Sequence, residues 1–284
     1  MRPKQWIKNG FVSVPLIFDV KLFDPLYLGR TIAGFFLLCF ISGTVYIIND
    51  LVDADKDRQH PKKQHRPIAS GQLPRGIALV AAIVIPLTML PLSFLLHPGF
   101  GAILVGYLAL QIAYSLWLKN IVIVDALVVA SGFVLRVAAG VYLVNAERFS
   151  PWMYVFTTLL ALVMAFGKRR HELVLLKENA DAHRNSLQEY NLPLLDQITG
   201  IVTSATILTY ALYTFSAEGL PPNHTMMLTI PFVLYGIFRY LYLIHVKEMG
   251  GAPTEIALSD RPLQVTIILW GLSIIVVMYV LPRI

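Results

Sequence analysis

The chain has 284 residues, of which 56% are hydrophobic and only 14% charged, and its mean hydropathy is +0.65. A soluble domain carries roughly a quarter charged residues, so a soluble globule is excluded. A membrane barrel is excluded too, because its strands would alternate, and the single cysteine, Cys39, rules out a disulfide framework or a cysteine-based metal centre. The formal charge of +6 would suggest nucleic acid in a soluble chain. Here the placement of basic residues between apolar blocks accounts for most of it, and no nucleic-acid partner is expected.

In chain order, apolar blocks predict an all-α polytopic membrane protein with about nine spans of about 20 residues. They centre on Val12, Phe40, Ile83, Leu108, Val134, Leu160, Thr206, Val233 and Ile274. The first is short, Trp6 to Phe18, and follows Arg2 and Lys4 as a signal peptide would; no small-residue cleavage site follows, so it reads as a retained span. With the N-terminus in the cytoplasm, 17 Lys and Arg residues fall inside and 4 outside, while Arg136 and Arg239 lie within spans. The positive-inside rule therefore orients the chain as a multi-pass membrane protein with its N-terminus in the cytoplasm. The outside connections at 97–99 and 146–150 are minimal, whereas the loops near 53–75 and 168–190 are long and charged. Function is expected on the cytoplasmic face of a single integral membrane domain, 1–284. The two loops lie four spans apart and hint at a duplicated four-helix unit, although the halves are too dissimilar to define a repeat.

The second span ends in NDLVDADKD (49–57), which crowds four aspartates against the edge of the hydrocarbon layer. If the helix continues, Asp50, Asp53 and Asp57 fall at about 0°, 300° and 340°, on one stripe, and Asp55 at about 140° points away. Carboxylates oppose the helix dipole at a C-terminus, and three of them on one stripe suggest a bound cation. An all-oxygen donor set favours magnesium shared with a substrate phosphate. The bland reading is a solvated helix end. The next segment, RQHPKKQHRPIASG (58–71), sets Arg58, Lys62, Lys63 and Arg66 beside this stripe, a composition suited to a phosphorylated ligand; the positive-inside rule alone would also explain those charges. Pro61, Pro67 and Gly71 indicate a shaped loop.

The sixth span opens at Ser150 and Pro151, a potential N-cap and first-turn proline, and continues into GKRRHELVLLKENADAHRNSLQEY (167–190). Leu173 to Leu176 suggest that this helix outruns the bilayer, with Lys168 and Glu172 at i, i+4 on one face. A lone Glu172 is a poor metal site; Lys168, Arg169 and Arg184 suit an anion that a metal leaves exposed. His171 reads as a surface residue. A buried charge costs at least about 2.5 kcal/mol, so Arg136 should face a polar cavity or partner, and Arg239 either does likewise or snorkels. Asp260, between Ser259 and Pro262, could cap a helix or serve the chemistry.

Asn49, Asp50, Asp53 and Asp57, followed by Arg66-Pro67-Ile68-Ala69-Ser70-Gly71, resemble the first signature of the UbiA-type intramembrane prenyltransferase superfamily. Within it, RPKQWIKN (2–9), His60-Pro61 with Lys63, Gly167-Lys168-Arg169 with Glu172-Leu173, Arg184 with Ser186-Leu187 and Tyr190, and EIALSDR (255–261) resemble the decaprenyl-phosphate phosphoribosyltransferase branch. The likeness runs from Arg2 to about Gln264. It implies a UbiA-type helical bundle around a central cavity open to the cytoplasmic side. It also implies a magnesium-dependent transfer of 5-phosphoribose from phosphoribosyl pyrophosphate to a polyprenyl phosphate for cell-wall arabinan precursors, and it is compatible with a homo-oligomer.

On that resemblance Asp50, Asp53 and Asp57 hold the metal and carry catalysis. Lys8, Asn49, Arg58, Lys63, Arg66, Lys168, Glu172, Arg184 and Tyr190 contact substrate, with the cations not apportioned between substrates. Ordinary UbiA members carry a second aspartate-rich motif after the sixth span; Lys168, Arg169 and Glu172 stand there instead. The alternatives are a UbiA-type aromatic prenyltransferase, against which the missing second motif argues, and a cation-coupled transporter, which would place charges at the midplane with broken helices in both halves. A purely structural subunit leaves the aspartate stripe unexplained.

Overall fold

The computed structural model describes residues 2–59, 64–146, 150–176, 187, 189–249 and 253–281. Among them every regular element is helical. A 3₁₀ run, Pro3–Ser13, leads into α1 (Val14–Phe18); α2 (Pro25–Val52), α3 (Ala54–Gln59), α4 (Arg75–Leu96), α5 (Pro98–Leu116) and α6 (Val124–Val144) follow. Then come α7 (Pro151–Leu176), α8 (Leu192–Ser216), α9 (Ile230–His245), α10 (Pro253–Ser259) and α11 (Arg261–Ile275), the last continued by a π turn, Val276–Val280. Among the described residues eight helices are long and apolar enough to cross a membrane, which makes this a multi-pass membrane protein.

The first of the nine expected spans, centred on Val12, differs in kind. Its residues form the 3₁₀ run and α1, broken by Pro15 and with the Ser13 hydroxyl donating to the Gly10 carbonyl at 2.6 Å. A 3₁₀ helix rises about 2.0 Å per residue against 1.5 Å for an α-helix, so these few residues still cover about 30 Å. Arg2 meets Asp50 at one end, and at the other Lys21 donates to the Val144 carbonyl at 2.9 Å. The segment is therefore packed inside the bundle, with Asn9, Val12 and Leu16 buried. Gly140 of α6 makes this possible: a Cβ there would stand 2.1 Å from the Val12 carbonyl oxygen.

The helix starts follow local chemistry. Asp24 accepts from the Leu26 and Tyr27 N–H groups ahead of Pro25, His97 Nδ1 accepts from Gly99 N–H at 3.1 Å, and Asn191 accepts from Leu194 N–H at 2.8 Å. Ser150 departs from its expected role. Its carbonyl accepts from Met153 and Tyr154, but its buried hydroxyl has no hydrogen-bond partner among the described residues, so the side chain does not cap α7. Helix α7 does run on to Leu176, as its apolar continuation implied.

Packing among the described residues sets four buried clusters, around Phe166, Leu195 and Leu243, around Leu38, Phe100, Leu104 and Leu143, around Tyr210, Met226 and Ile274, and around Ile47 and Ile68. The outer face of α4 is left bare, with Leu79, Ile83, Leu87 and Leu95 all more than half exposed. A helix with so little of its apolar surface covered by protein suits a lipid-facing position. The end of α2, the start of α6, the end of α7 and the residues before α8 converge with Arg2 at one end of the bundle, and that end carries the polar groups.

Candidate active site

Helix α2 stops at Val52. Asp53 is its C-cap with φ −93° and ψ 4°, and α3 begins at Ala54. The ladder nevertheless bridges the break, since Asp53 N–H donates to the Asn49 carbonyl at 3.0 Å and Asp57 N–H to the Asp53 carbonyl at 2.8 Å. Asp50 and Asp57 therefore stay on one side. Arg66 Nη1 sits between them, donating to Asp50 Oδ1 at 3.1 Å and Asp57 Oδ2 at 2.5 Å, and Arg2 also pairs with Asp50. The break sends Asp53 elsewhere: its Oδ1 accepts from Lys119 Nζ at 2.7 Å. Asp55 points away, as the helical arithmetic predicted, onto Arg58 and Arg75 at the surface.

Arg66 reaches the carboxylates because its loop is tied: Ser70 N–H donates to the Arg66 carbonyl at 2.8 Å and Leu73 N–H to that of Pro67. Gly71, at φ +81°, closes the turn in a conformation that a side chain would strain. Arg58 is not brought to the cluster; it donates to the Ala69 carbonyl at 3.2 Å and to Asp55, and so braces the loop from outside. Asn49 is half-buried beside Asp50. Lys63 and Arg184 lie outside the described residues.

Among the described residues no group of three His, Cys, Asp or Glu side chains is gathered closely enough to hold a metal ion. The donor chemistry does fit a divalent cation. Asp50 and Asp57 already grip one cationic nitrogen between them, and their oxygens are hard ligands of the type magnesium takes.

The second polar loop is organised by a residue that sequence reasoning passed over. Asp125, at the start of α6, is fully buried and pairs with Arg169 Nε, while Arg169 Nη1 donates to Glu172 at 2.5 Å and Nη2 to the Tyr114 hydroxyl at 3.2 Å. Arg169 is thus committed to carboxylates and is not an open anion site. Tyr190, expected at the substrate, is instead buried behind it: its hydroxyl donates to Asp125 Oδ1 at 2.9 Å and accepts from Ile123 N–H at 2.7 Å. Burial pushes this phenol above its ordinary value. The contact with Ile123 holds a β-branched residue at φ +67°, a strained backbone. Lys168 remains half-exposed, 3.7 Å from Glu172. Lys119 was also missed; as one lysine in a short loop it carried no signal beyond its charge.

The sequence of the chain matches the UbiA prenyltransferase family over residues 18–253. The chain belongs to that family. Decaprenyl-phosphate phosphoribosyltransferase of Corynebacterium glutamicum is 35% identical to it, over 99% of this chain and 86% of the relative. The enzyme of the same name from Mycobacterium tuberculosis is 32% identical, over 95% and 90%. In fold, a UbiA homologue from Archaeoglobus fulgidus bound to GPP and Mg2+ superposes with a TM-score of 0.75 at 18% identity, covering 98% of each chain. A UbiA homologue from Aeropyrum pernix gives 0.70 at 14% identity, over 95% and 98%. The UbiA bundle is therefore the fold here, and the first acidic signature sits at its polar end.

Two further sequence expectations meet the UbiA framework at that end. Asp260 caps α11 by accepting from Leu263 N–H at 2.9 Å, and it also takes two hydrogen bonds from Arg239, at 3.1 and 2.7 Å. Arg239 thus has a carboxylate partner, and its guanidinium holds the Asp260 carboxyl below the usual carboxylate range. Asp260→Ser should keep activity, because serine caps almost as well. The thermal advantage of the wild type over this variant should be present at neutral pH and should vanish as pH falls through the depressed Asp260 value. Loss of activity at unchanged melting temperature would make Asp260 part of the chemistry.

Proposed function

We propose that this UbiA member transfers 5-phosphoribose from phosphoribosyl pyrophosphate to a polyprenyl phosphate, releasing pyrophosphate, at the cytoplasmic face of a bacterial plasma membrane. The observation that carries the reading is the second polar loop: where ordinary UbiA members hold a second acidic motif, Arg169 is locked between Asp125 and Glu172 and Lys168 stands half-exposed. One acidic site and one basic site suit substrates of which only part is a diphosphate. The two phosphoribosyltransferase relatives support the same reading, and the distribution of basic residues supports the orientation.

In this mechanism Asp50, Asp53 and Asp57 would hold magnesium, whose charge would offset that of a leaving pyrophosphate. Arg66 and Lys119 bring cationic donors to the same place. The bond from C1 of the ribose to pyrophosphate breaks, its electron pair leaving with the pyrophosphate, and a bond forms from a lipid phosphate oxygen to C1. That phosphate is already anionic near neutral pH, so no strong general base is needed. The chain's own contribution is positioning and electrostatics. The deciding assay supplies purified protein with phosphoribosyl pyrophosphate and a short polyprenyl phosphate, beside a polyprenyl diphosphate with an aromatic acid. A phosphoribosylated lipid is expected from the first pair; a prenylated aromatic product from the second would replace the reading.

Lys168 gives a finer test. If it serves an exposed phosphate, Lys168→Ala weakens binding of a phosphorylated substrate by about 1.5 to 3 kcal/mol and leaves the magnesium requirement unchanged. If it only pairs with Glu172 across 3.7 Å on an open helix face, the effect stays at about 0.3 to 0.5 kcal/mol. Titrations of both substrates against Lys168→Ala and Glu172→Ala separate the two.

A further inference from the structure

The short segment between α5 and α6, residues 117–123, touches both polar centres. Lys119, 8% exposed, donates to Asp53 Oδ1 at 2.7 Å. Asp125, in the first turn of α6 and fully buried, pairs with Arg169. The backbone between these two residues is tied. A 3₁₀ turn, Leu118–Asn120, brings Ile121 N–H onto the Leu118 carbonyl at 3.2 Å, and Asp125 N–H donates to the Ile121 carbonyl at 3.0 Å. A chain held in this way passes a shift at one end on to the other.

The strained point of the segment is Ile123, at φ +67° and ψ −47°. Val124 N–H donates across it to the Val122 carbonyl at 2.7 Å, which makes a γ-turn of the rare, strained form. Glycine accepts this conformation, whereas a β-branched residue resists it. Packing of the side chain does not offset the strain, because Ile123 is 44% exposed. The tie comes from the far side of the second polar loop: the Tyr190 hydroxyl accepts from Ile123 N–H at 2.7 Å and donates to Asp125 Oδ1 at 2.9 Å. Strain of this kind persists only where the surroundings over-determine it. We infer that residues 117–125 form a strained spacer between the two polar centres, in which Tyr190 is a positioning residue that holds the turn at Ile123 and, through it, Lys119 on Asp53. Tyr190 thus acts on the acidic cluster through the backbone. Without its hydroxyl the turn relaxes toward negative φ and Lys119 is drawn off its carboxylate.

The inference rests on the reading in which Asp53 and its neighbours take the magnesium pyrophosphate of a donor. Binding without turnover tests it. Wild type, Tyr190→Phe, and Tyr190→Phe combined with Ile123→Gly are titrated with magnesium pyrophosphate, and each is melted alongside. Tyr190→Phe should weaken binding about 10-fold. Adding Ile123→Gly, which keeps the turn without strain or tie, should restore affinity to within about threefold of wild type. In a Lys119→Gln background Tyr190→Phe should change the affinity no further, because the path ends at that lysine. If Tyr190 only supports the buried Asp125, Ile123→Gly recovers nothing. That result, a further loss in the Lys119→Gln background, or wild-type affinity in Tyr190→Phe overturns the spacer alone. Should Tyr190→Phe lose its fold, the double variant decides: it must fold and bind as the wild type does, or the spacer is overturned. Wild type that does not bind magnesium pyrophosphate removes the reading of the acidic cluster and the spacer with it.

Discussion

Replacing Asp53 by Asn should lower turnover about 100-fold or more, whereas Asp55→Asn should stay within about fivefold of wild type. The two aspartates are two residues apart on the same short stretch, yet the structure separates them completely. Asp53 turns inward at the end of α2 and grips Lys119, and Asp55 lies in solvent between Arg58 and Arg75. The carboxamide at 53 keeps the shape and one acceptor oxygen but removes the charge that Lys119 meets and that the proposed metal would use. A magnesium titration checks the cause: the Asp53 variant should need more magnesium for half-maximal rate, and the Asp55 variant should not. Equal losses in both, with wild-type melting temperatures, would mean that the inner and outer aspartates do not divide the work.

Asp125→Ala should be the most destabilising single change at the polar end, by about 3 to 5 kcal/mol. It leaves the buried Arg169 without its innermost carboxylate and removes the acceptor of the Tyr190 hydroxyl. Glu172 remains on the outer side of Arg169, so collapse of the fold is not expected. The apparent melting temperature in detergent should fall by at least about 6 °C. The double variant Asp125→Leu with Arg169→Met tests the origin of the loss, because replacing both charges with apolar groups is often neutral or stabilising. If the double variant melts no higher than Asp125→Ala, the destabilisation comes from Tyr190 and the turn at Ile123 rather than from an orphaned charge.

The helical bundle was legible because apolar length is a strong and local signal, and eight spans need nothing more. The stripe of aspartates was half legible. Periodicity placed Asp50 and Asp57 together and Asp55 apart, but it assumed an unbroken helix and could not see the cap at Asp53 that turns this residue toward Lys119. Arg136 announced a need for a partner by its place in a span, but the partner is Asn9, a polar residue at the start of a segment 127 positions away. Asp125 and Arg169 were each visible; only the packing of α6 on α7 makes them a pair. Tyr190 shows the limit of motif transfer, since a residue that matches a family signature can match it for the sake of a buried support.

The 3₁₀ form of the N-terminal run makes it a ruler. Arg2 and Asn9 are seven residues apart and are pinned at different depths, one on Asp50 and the other on Arg136. Each residue of such a helix advances about 2 Å and turns about 120°. Inserting or deleting one residue between them would therefore swing one of the two off its partner altogether, whereas a three-residue insertion would restore the facing and change only the span. The distance between acidic cluster and buried guanidinium is thus written into the count of residues from Pro3 to Lys8, and point substitutions there should be tolerated far better than any change of length.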